Sequence, residues 1–408
     1  MRTKKFNFVP VIFGLGLLMG PSFHTSVQSQ AAAQLQKPLQ HNVLDVNIEV
    51  PVRVFKGDMF IDSLTIDDFE VFEDGKPQPL EGLFLIKKID IKREEGNKEI
   101  KPAVARHFIF LFEMTEYLPE LGTAMDYFLD HVILPDDSFE VFTPIKGYRM
   151  KSHIFESIPK EKVKEQLKEI LHRDIVGGAS EYRNILRELQ VCLKESNFGD
   201  YGRNLKQLER LRKVNQKSMI SFAQDLKKKD GQKHIFLFYQ QEVLPKLKPT
   251  VDGSELVSLM IEGLGSDKKN ARFDVGAVKK AYSDASTSLH FLFITKTLMT
   301  SSDVTETGLD KTKINTSGYD PSGDIIMGER SEDIFSAFNE ISPATGGIST
   351  RSVNAEAAFQ MAANALENYY LLYYRPLDYK ADEQFHEIKV MVKSGNYRIT
   401  HRAGYIAK

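Results

Sequence analysis

The chain has 408 residues, a formal net charge of −2 and a single cysteine. Without an excess of basic residues it is not expected to bind nucleic acid, and with one cysteine it cannot close an internal disulfide. Its length exceeds the usual size of one domain, so we expect two folded units. In chain order, the patterns below predict an export signal, a β-rich segment, a long α/β region and a second β-rich segment.

The N terminus has the features of a secretory signal peptide. Basic residues at Arg2, Lys4 and Lys5 precede an apolar run over 8–19, which is too short to cross a bilayer as a mature helix. We predict that residues 1–30 are removed and that the mature protein is secreted, periplasmic or at the cell surface. It would touch the membrane only through this segment, before cleavage. An uncleaved membrane anchor is the alternative.

Residues 43–92 have the pattern of antiparallel strands. Alternate positions over 44–54 are apolar and the positions between them are mostly polar, as in a strand with one buried face. An Asp74-Gly75 pair then follows an apolar run and indicates a hairpin turn. The charged stretch 93–102 is predicted to be a linker.

Residues 105–367 alternate between apolar strands and amphipathic helices. The unbroken apolar runs at 107–112 and 234–239 turn polar at their C-terminal ends, as central strands of a parallel sheet do when helices cover both faces. We also expect strands at 138–143 and 289–294, a hairpin near 147–155, and helices at 160–172, 181–194, 203–228, about 275–287, 331–341 and 354–367. This alternation predicts an α/β fold with a doubly wound, mostly parallel sheet.

After the α/β region the pattern returns to short strands, within 369–408. Neither terminal β segment has enough strands to bury its own apolar face. We therefore predict that residues 43–92 and 369–408 bracket the α/β region and pair into one antiparallel β-sandwich. Residues 299–328 are polar and lack periodicity, and a loop of that length is usually functional or disordered.

Several motifs resemble the exported bacterial VWFA-related group of the von Willebrand factor type A (vWA) superfamily. They are the runs 64–77, 370–376, 385–388 and 402–405, together with Gly177-Gly178 after the second strand pair. The resemblance covers nearly the whole mature chain. It implies a vWA/Rossmann-like sheet and a role in binding a protein or a cell-envelope component.

Many vWA domains bind a divalent ion through a metal-ion-dependent adhesion site at the top of the sheet. The resemblance places the ligand positions of that site on Glu113, Thr115, Tyr117, Ala179 with the adjacent Ser180, and Gln240. Magnesium requires near-octahedral oxygen ligands and prefers carboxylate charge, and only Thr115 keeps the ligand type. We predict a degenerate site with no metal and no cofactor. Metal-dependent binding through Glu113 and Thr115 is the alternative.

The sequence contains no catalytic constellation of a known kind. Its ten histidines are scattered without a His-Glu-x-x-His motif, and no Gly-x-Ser-x-Gly elbow occurs. We predict a non-enzymatic protein without catalytic residues, and an exported hydrolase or a small-molecule binding protein are the alternatives. Cys192 shares an apolar helical face with Leu189 and is predicted to be a buried structural thiol.

Ligands of open α/β sheets bind outside the carboxyl ends of the strands. The loops after 107–112 and 234–239 and the loop 177–181 are therefore expected to converge on one rim. The predicted partner-binding residues are Glu113, Thr115, Glu116, Tyr117, Ser180, Glu181, Tyr239, Gln240 and Glu242. Either the Tyr117 phenol fills the vacant metal position, or Tyr117 and Tyr239 are exposed anchors of the kind found at protein interfaces. The acidic and amide groups suit a protein partner with basic residues.

Overall fold

The computed structural model describes residues 46–57, 59–97, 99–102, 104–150, 158–212, 214–247, 273–296 and 325–408. The predicted signal peptide and most of the predicted loop 299–328 lie outside these residues. The N-terminal part has strands β1 (Ile48–Lys56), β2 (Met59–Phe60), β3 (Phe69–Glu73), β4 (Lys76–Gln78), β5 (Leu80–Lys87) and β6 (Asp90–Gly96). The C-terminal part has β15 (Asn368–Tyr374), β16 (Phe385–Val392), β17 (Arg398–His401) and β18 (Gly404–Ile406).

The region between them alternates strands and helices. Its strands are β7 (Arg106–Glu113), β8 (Ser138–Phe142), β9 (Gly147–Met150), β10 (Gln232–Gln240), β11 (Val243–Leu247), β12 (Thr287–Ile294), β13 (Ile325–Glu329) and β14 (Ser349–Ser352). Its helices are α1 (Pro119–Tyr127), α2 (Lys160–Gly178), α3 (Ser180–Lys194), α4 (Phe198–Arg212), α5 (Gln216–Lys227), α6 (Val275–Asp284), α7 (Glu332–Ala344) and α8 (Ala355–Asn364). Among the helices of the described residues, none combines the length and the apolar composition needed to span a bilayer.

The strands at the two ends of the chain pair with each other. One antiparallel sheet has the order β17-β1-β15-β5-β6, with β2 on the edge of β1, and a second has the order β18-β16-β3-β4. Val52 and Tyr370 from the first sheet share a buried core with Val71 and Val390 from the second. Because each sheet draws strands from both chain ends, neither end can bury its apolar face alone.

The α/β region forms a six-stranded sheet of order β14-β12-β10-β7-β8-β9. Its first five strands pair in parallel, but β9 runs antiparallel to β8. The predicted fold class, a doubly wound, mostly parallel sheet of vWA/Rossmann type, is therefore wrong: two main sheets are antiparallel and this one is mixed. A tight turn causes the reversal, because the Thr143 backbone N–H and hydroxyl both donate to the Lys146 carbonyl oxygen, at 3.0 and 2.9 Å.

The two central strands of the mixed sheet are buried on both faces. Phe110 of β7 stacks on Phe236 of β10 with ring centroids 5.4 Å apart, and these rings pack against α1 and α8. Ile109 and Ile235 point to the opposite face, where α5, α6 and α7 cover them. Successive side chains of a strand alternate between faces, so an unbroken apolar run is what a strand covered on both sides requires.

The helices differ from the prediction at two places that position the site. The helix predicted over 160–172 continues to Gly178, where a Cβ would lie 2.5 Å from the Cβ of Pro144, so glycine is needed for this close approach. The helix predicted over 203–228 is two helices. Asn215 caps the second one, because its side-chain oxygen accepts from the backbone N–H of Ser218 at 3.1 Å.

Candidate functional site

The predicted partner-binding residues lie around the carboxyl ends of β7 and β10. Because these strands are parallel, with Tyr239 in register with Glu113, the loops that follow them leave the sheet at the same edge. The neighbouring β12 ends there too, with Ile294 beside Gln240. The surface formed by Glu113, Thr115, Glu116, Tyr117, Ser180, Glu181, Tyr239, Gln240 and Glu242 is termed the rim below.

Gln240 organises the loop that follows β7. Its Oε1 accepts hydrogen bonds from the backbone N–H groups of Thr115 at 2.9 Å and Glu116 at 3.0 Å, and from the Thr115 hydroxyl at 2.9 Å. Its Nε2 donates to Glu116 Oε1 at 2.5 Å. Gln240 is 1% exposed and Thr115 is 3% exposed. An amide supplies a donor and an acceptor together, which an ionised carboxylate does not, so Gln240 suits this place.

The residues on the metal-site pattern do not fit a divalent ion. The Thr115 hydroxyl is committed to Gln240, and the Tyr117 ring packs edge-on against His172 with centroids 5.0 Å apart. Ala179 is buried between α2 and α3 and offers no side-chain oxygen. Across the described parts of the chain, no group of three His, Cys, Asp or Glu side chains is placed to hold a metal ion.

Tyr239 is a buried member of the rim. It is 3% exposed, and its hydroxyl donates to Glu242 Oε1. Arg212, the last residue of α4, covers the ring with its Cζ 5.1 Å from the centroid and donates from Nε to the same Glu242 oxygen at 2.7 Å. The expectation of an exposed anchor at Tyr239 is therefore wrong, because α4 ends over the strand. Tyr117, by contrast, is half-buried.

Burial shapes the ionisation of this group. Desolvation raises the pKa of Tyr239, so its hydroxyl stays protonated and remains a donor to Glu242. The pKa of Arg212 is lowered by burial but raised more by Tyr239, Glu242 and Glu113 together, so the net shift is upward. Desolvation also raises the pKa of Glu113, although Arg212 opposes the shift. Arg212 is therefore a permanent cation that holds two glutamates in place.

The charges at the rim are arranged in two layers. The side chains of Glu113 and Glu116 are 56% and 41% exposed, whereas Arg212 and Lys296, which face them, are 14% and 18% exposed. Arg212 Nη1 lies 3.7 Å from Glu113 Oε2, and Lys296 Nζ lies 3.3 Å from Glu116 Oε1. The cations thus lie beneath the carboxylates and fix their positions, while solvent meets a negatively charged surface.

The start of α3 belongs to the same surface. Ser180 and Glu181 are exposed on its first turn, and Glu181 Oε1 accepts from Gln207 Nε2 at 3.2 Å. Arg183, two residues after Glu181, connects this turn to the loop after β7. Its Nη1 donates to the Thr115 carbonyl oxygen at 3.4 Å.

An apolar patch beside the rim was not predicted. Ile145 is 54% exposed and Val176 is 38% exposed, and Ile145 packs over Gly177. Arg183 Nη2 donates to the Val176 carbonyl oxygen at 2.6 Å, which joins the patch to the rim. The sequence position of Ile145 could have indicated this patch, since 143–146 follows β8, the strand next to β7. Arg212 was missed because the helix predicted over 203–228 ends at it. Lys296 was missed because its contact with Glu116 is a tertiary contact of a long side chain.

A comparison of the chain with protein-family models, curated proteins and solved structures found no match. The resemblance to the VWFA-related group therefore rests on the sequence motifs alone. What the rim can bind has to follow from its own geometry and charge.

Proposed function

We propose that the chain is a non-enzymatic binding protein whose rim takes a protein partner, or a protein of the cell envelope, that presents basic side chains. The layered charge carries this proposal: Glu113 and Glu116 face solvent, and their cations lie beneath them. A lysine or arginine of the partner would meet carboxylates that are already fixed in position. Such complementarity speeds association and excludes acidic partners.

The neighbouring patch adds a second requirement on the partner. Ile145 and Val176 expose apolar area next to the acidic rim, and burying such area on contact is favourable. The two features together suit a segment in which aliphatic and basic side chains alternate or adjoin. Binding residues are often carried by loops on a rigid scaffold, and here the loops leave a sheet with a phenylalanine core.

A non-enzymatic, metal-independent mode of binding is part of the proposal. The polar atoms of Thr115 and Gln240 bond each other and Glu116, so neither is poised as a nucleophile or as a metal ligand. The proposed setting outside the cytoplasm rests on the N-terminal sequence, which lies outside the described residues. There the partner would be another exported or envelope protein.

The test is a charge reversal at the rim. Envelope proteins that bind immobilised mature protein would be identified, and the affinity of one purified partner measured for the wild type and for Glu113→Lys/Glu116→Lys. We expect at least a tenfold loss, about 1.4 kcal/mol, and a steep weakening of wild-type binding as salt is raised. Because Glu116 also accepts from Gln240 Nε2, the variant is expected to lose some stability, and its affinity is measured at a temperature at which a thermal melt shows it fully folded.

The matched control is Glu165→Lys/Glu169→Lys, which makes the same charge change at exposed positions of α2. It should bind as the wild type does. Equal losses in the two double variants would indicate an effect of net charge only. A partner whose affinity is unchanged by the rim variant would refute the proposal.

A further inference from the structure

Arg53 of β1 is a buried cation that pairs with no carboxylate of the described residues. It is 2% exposed, and it lies where the sheet of β1 and β15 meets the mixed sheet, a region termed the junction below. Its Nη1 donates to the Gly346 carbonyl oxygen at 2.9 Å, and its Cζ lies 5.7 Å from the centroid of the Tyr369 ring. Its Nε has no hydrogen-bond partner in the described structure.

Other donors at the junction are also unmatched. The Ile348 backbone N–H donates to His290 Nδ1 at 3.3 Å, so the neutral ring carries its proton on Nε2, and that atom has no partner among the described residues. The Tyr369 hydroxyl is likewise unpaired, as is His234 Nδ1. His290 is fully buried, His234 is 2% exposed, and their rings lie 6.1 Å apart.

These groups surround one place in the fold. Gly346, which binds Arg53, and Ile348, which binds His290, are two residues apart after α7. The Arg53 guanidinium also lies against the Tyr369 ring, which brings the phenol to the same region. Orphaned buried donors are rare in native proteins and usually point to a bound water or ion.

Charge decides between water and an ion. The cations Arg53, Arg106, Lys233 and Arg402 are buried at the junction. Asp137 pairs with Arg106, Glu49 and Asp230 lie near Lys233, and Glu49 and Asp284 lie near Arg402. Arg53 is the member of this set beside which no described carboxylate lies. A buried charge without a counter-charge is costly. An anion would supply the missing counter-charge and would also accept hydrogen bonds from the unmatched N–H and O–H groups. A water molecule would accept hydrogen bonds but would supply no counter-charge.

We propose that the junction holds a small monovalent anion of chloride size, bound by Arg53 Nε, the His290 Nε2–H group and the Tyr369 hydroxyl. Because Arg53, His290 and Tyr369 are each at most 2% exposed, only a small ion is expected to fit among them. By neutralising Arg53 it would bind together the chain-end sheets and the α/β region. This anion site is separate from the rim, and neither proposal depends on the other.

The first test compares halide with a large anion. The mature protein would be melted at equal ionic strength in sodium chloride, sodium bromide and sodium gluconate. A bound halide stabilises the folded state by linkage, so we expect a midpoint at least about 3 °C higher in chloride and bromide. Crystals soaked in sodium bromide should show an anomalous peak within hydrogen-bond distance of Arg53 Nε.

Variants separate this site from general salt effects. Tyr369→Phe removes one donor and keeps the ring, and it should reduce the difference between halide and gluconate. Arg53→Met should abolish that difference. Arg203→Met removes an exposed guanidinium from α4 and should leave it unchanged. Equal midpoints in all three salts, a difference that persists in full in Tyr369→Phe, or water alone at the junction of the bromide-soaked crystal would overturn the proposal.

Discussion

The Thr115 hydroxyl donates to Gln240 Oε1 at 2.9 Å, across the gap between the loop after β7 and the end of β10. The same oxygen accepts two backbone N–H groups of that loop, while the amide nitrogen binds Glu116. One neutral side chain thus satisfies six polar atoms of this turn, its own two included. The loop that carries the exposed acids of the rim depends on it.

Replacing Gln240 by Glu should destabilise the protein. The substitution keeps the shape and the acceptor but removes the donor to Glu116, and it sets two carboxylates 2.5 Å apart in place of the amide contact. We expect a loss of about 1–3 kcal/mol in the free energy of unfolding, measured by urea denaturation at pH 7. Gln207→Glu is the control, since Gln207 contacts Glu181 at an exposed position, and it should cost under about 0.5 kcal/mol. Similar losses at both positions would contradict the account of the turn.

Divalent ions should leave the melting midpoint unchanged. An ion in large excess over its dissociation constant would add about 2–3 kcal/mol of stability, which a thermal melt detects easily. We expect the same midpoint in millimolar magnesium or calcium and in chelator, because Thr115 and Gln240 already bind each other. A chelator-sensitive shift that disappears in Thr115→Val would show that the loop opens to a metal after all.

The strands were predictable because their signal is local. The apolar runs at 107–112 and 234–239 became β7 and β10 with ends shifted by at most two residues. The antiparallel direction of β9 could not be predicted, since it depends on the hydrogen bonds of the 143–146 turn. Nor could the sequence show that Tyr239 is covered, because the covering group, Arg212, ends a helix that was predicted to run on past it.

The location of the rim could be predicted from the sequence, but the placement of cations beneath its carboxylates could not. Which loops converge follows from strand order, so the exposed carboxylate of Glu113 was found from its place at the C-terminal end of β7. Which charges lie beneath depends on tertiary contacts of long side chains, such as Lys296 with Glu116. The junction was missed entirely, since Arg53 and His290 are far apart in sequence and neither lies in a motif.

Tyr239→Phe should lower stability without changing partner affinity. The hydroxyl binds Glu242 inside the protein, and removing a buried hydrogen bond to a charged group costs about 1.5–3 kcal/mol. Urea denaturation gives the stability, and binding of the partner used in the charge-reversal test gives the affinity. The control Tyr117→Phe removes the hydroxyl of a half-buried tyrosine and should cost under about 1 kcal/mol. A weaker complex with Tyr239→Phe would mean that the Tyr239 hydroxyl contributes to partner binding.

The contribution of Lys233 to the free energy of unfolding should become more favourable as the pH rises. It is 4% exposed, and burial lowers its pKa from 10.5 to about 8 in spite of the attraction of Glu49. Between pH 8 and 10.5 the unfolded chain keeps a proton that the folded chain releases, so this group's contribution to stability rises with pH in that window. Below pH 8 both states are protonated and the full cost of burying the charge is present.

Lys233→Met should therefore be more stable than the wild type at pH 7. The gain should be about 1–2 kcal/mol, because the relief of burial is offset in part by losing the bond from Lys233 Nζ to the Lys229 carbonyl oxygen at 2.7 Å. The advantage should shrink as the pH is raised from 8 to 10, as followed by urea denaturation at each pH. Lys228→Met, at a side chain 76% exposed, should show no such trend. If Lys233→Met were less stable than the wild type by the same amount at every pH, burial would not disfavour the charged form of Lys233. Its pKa in the folded protein would then be near 10.5.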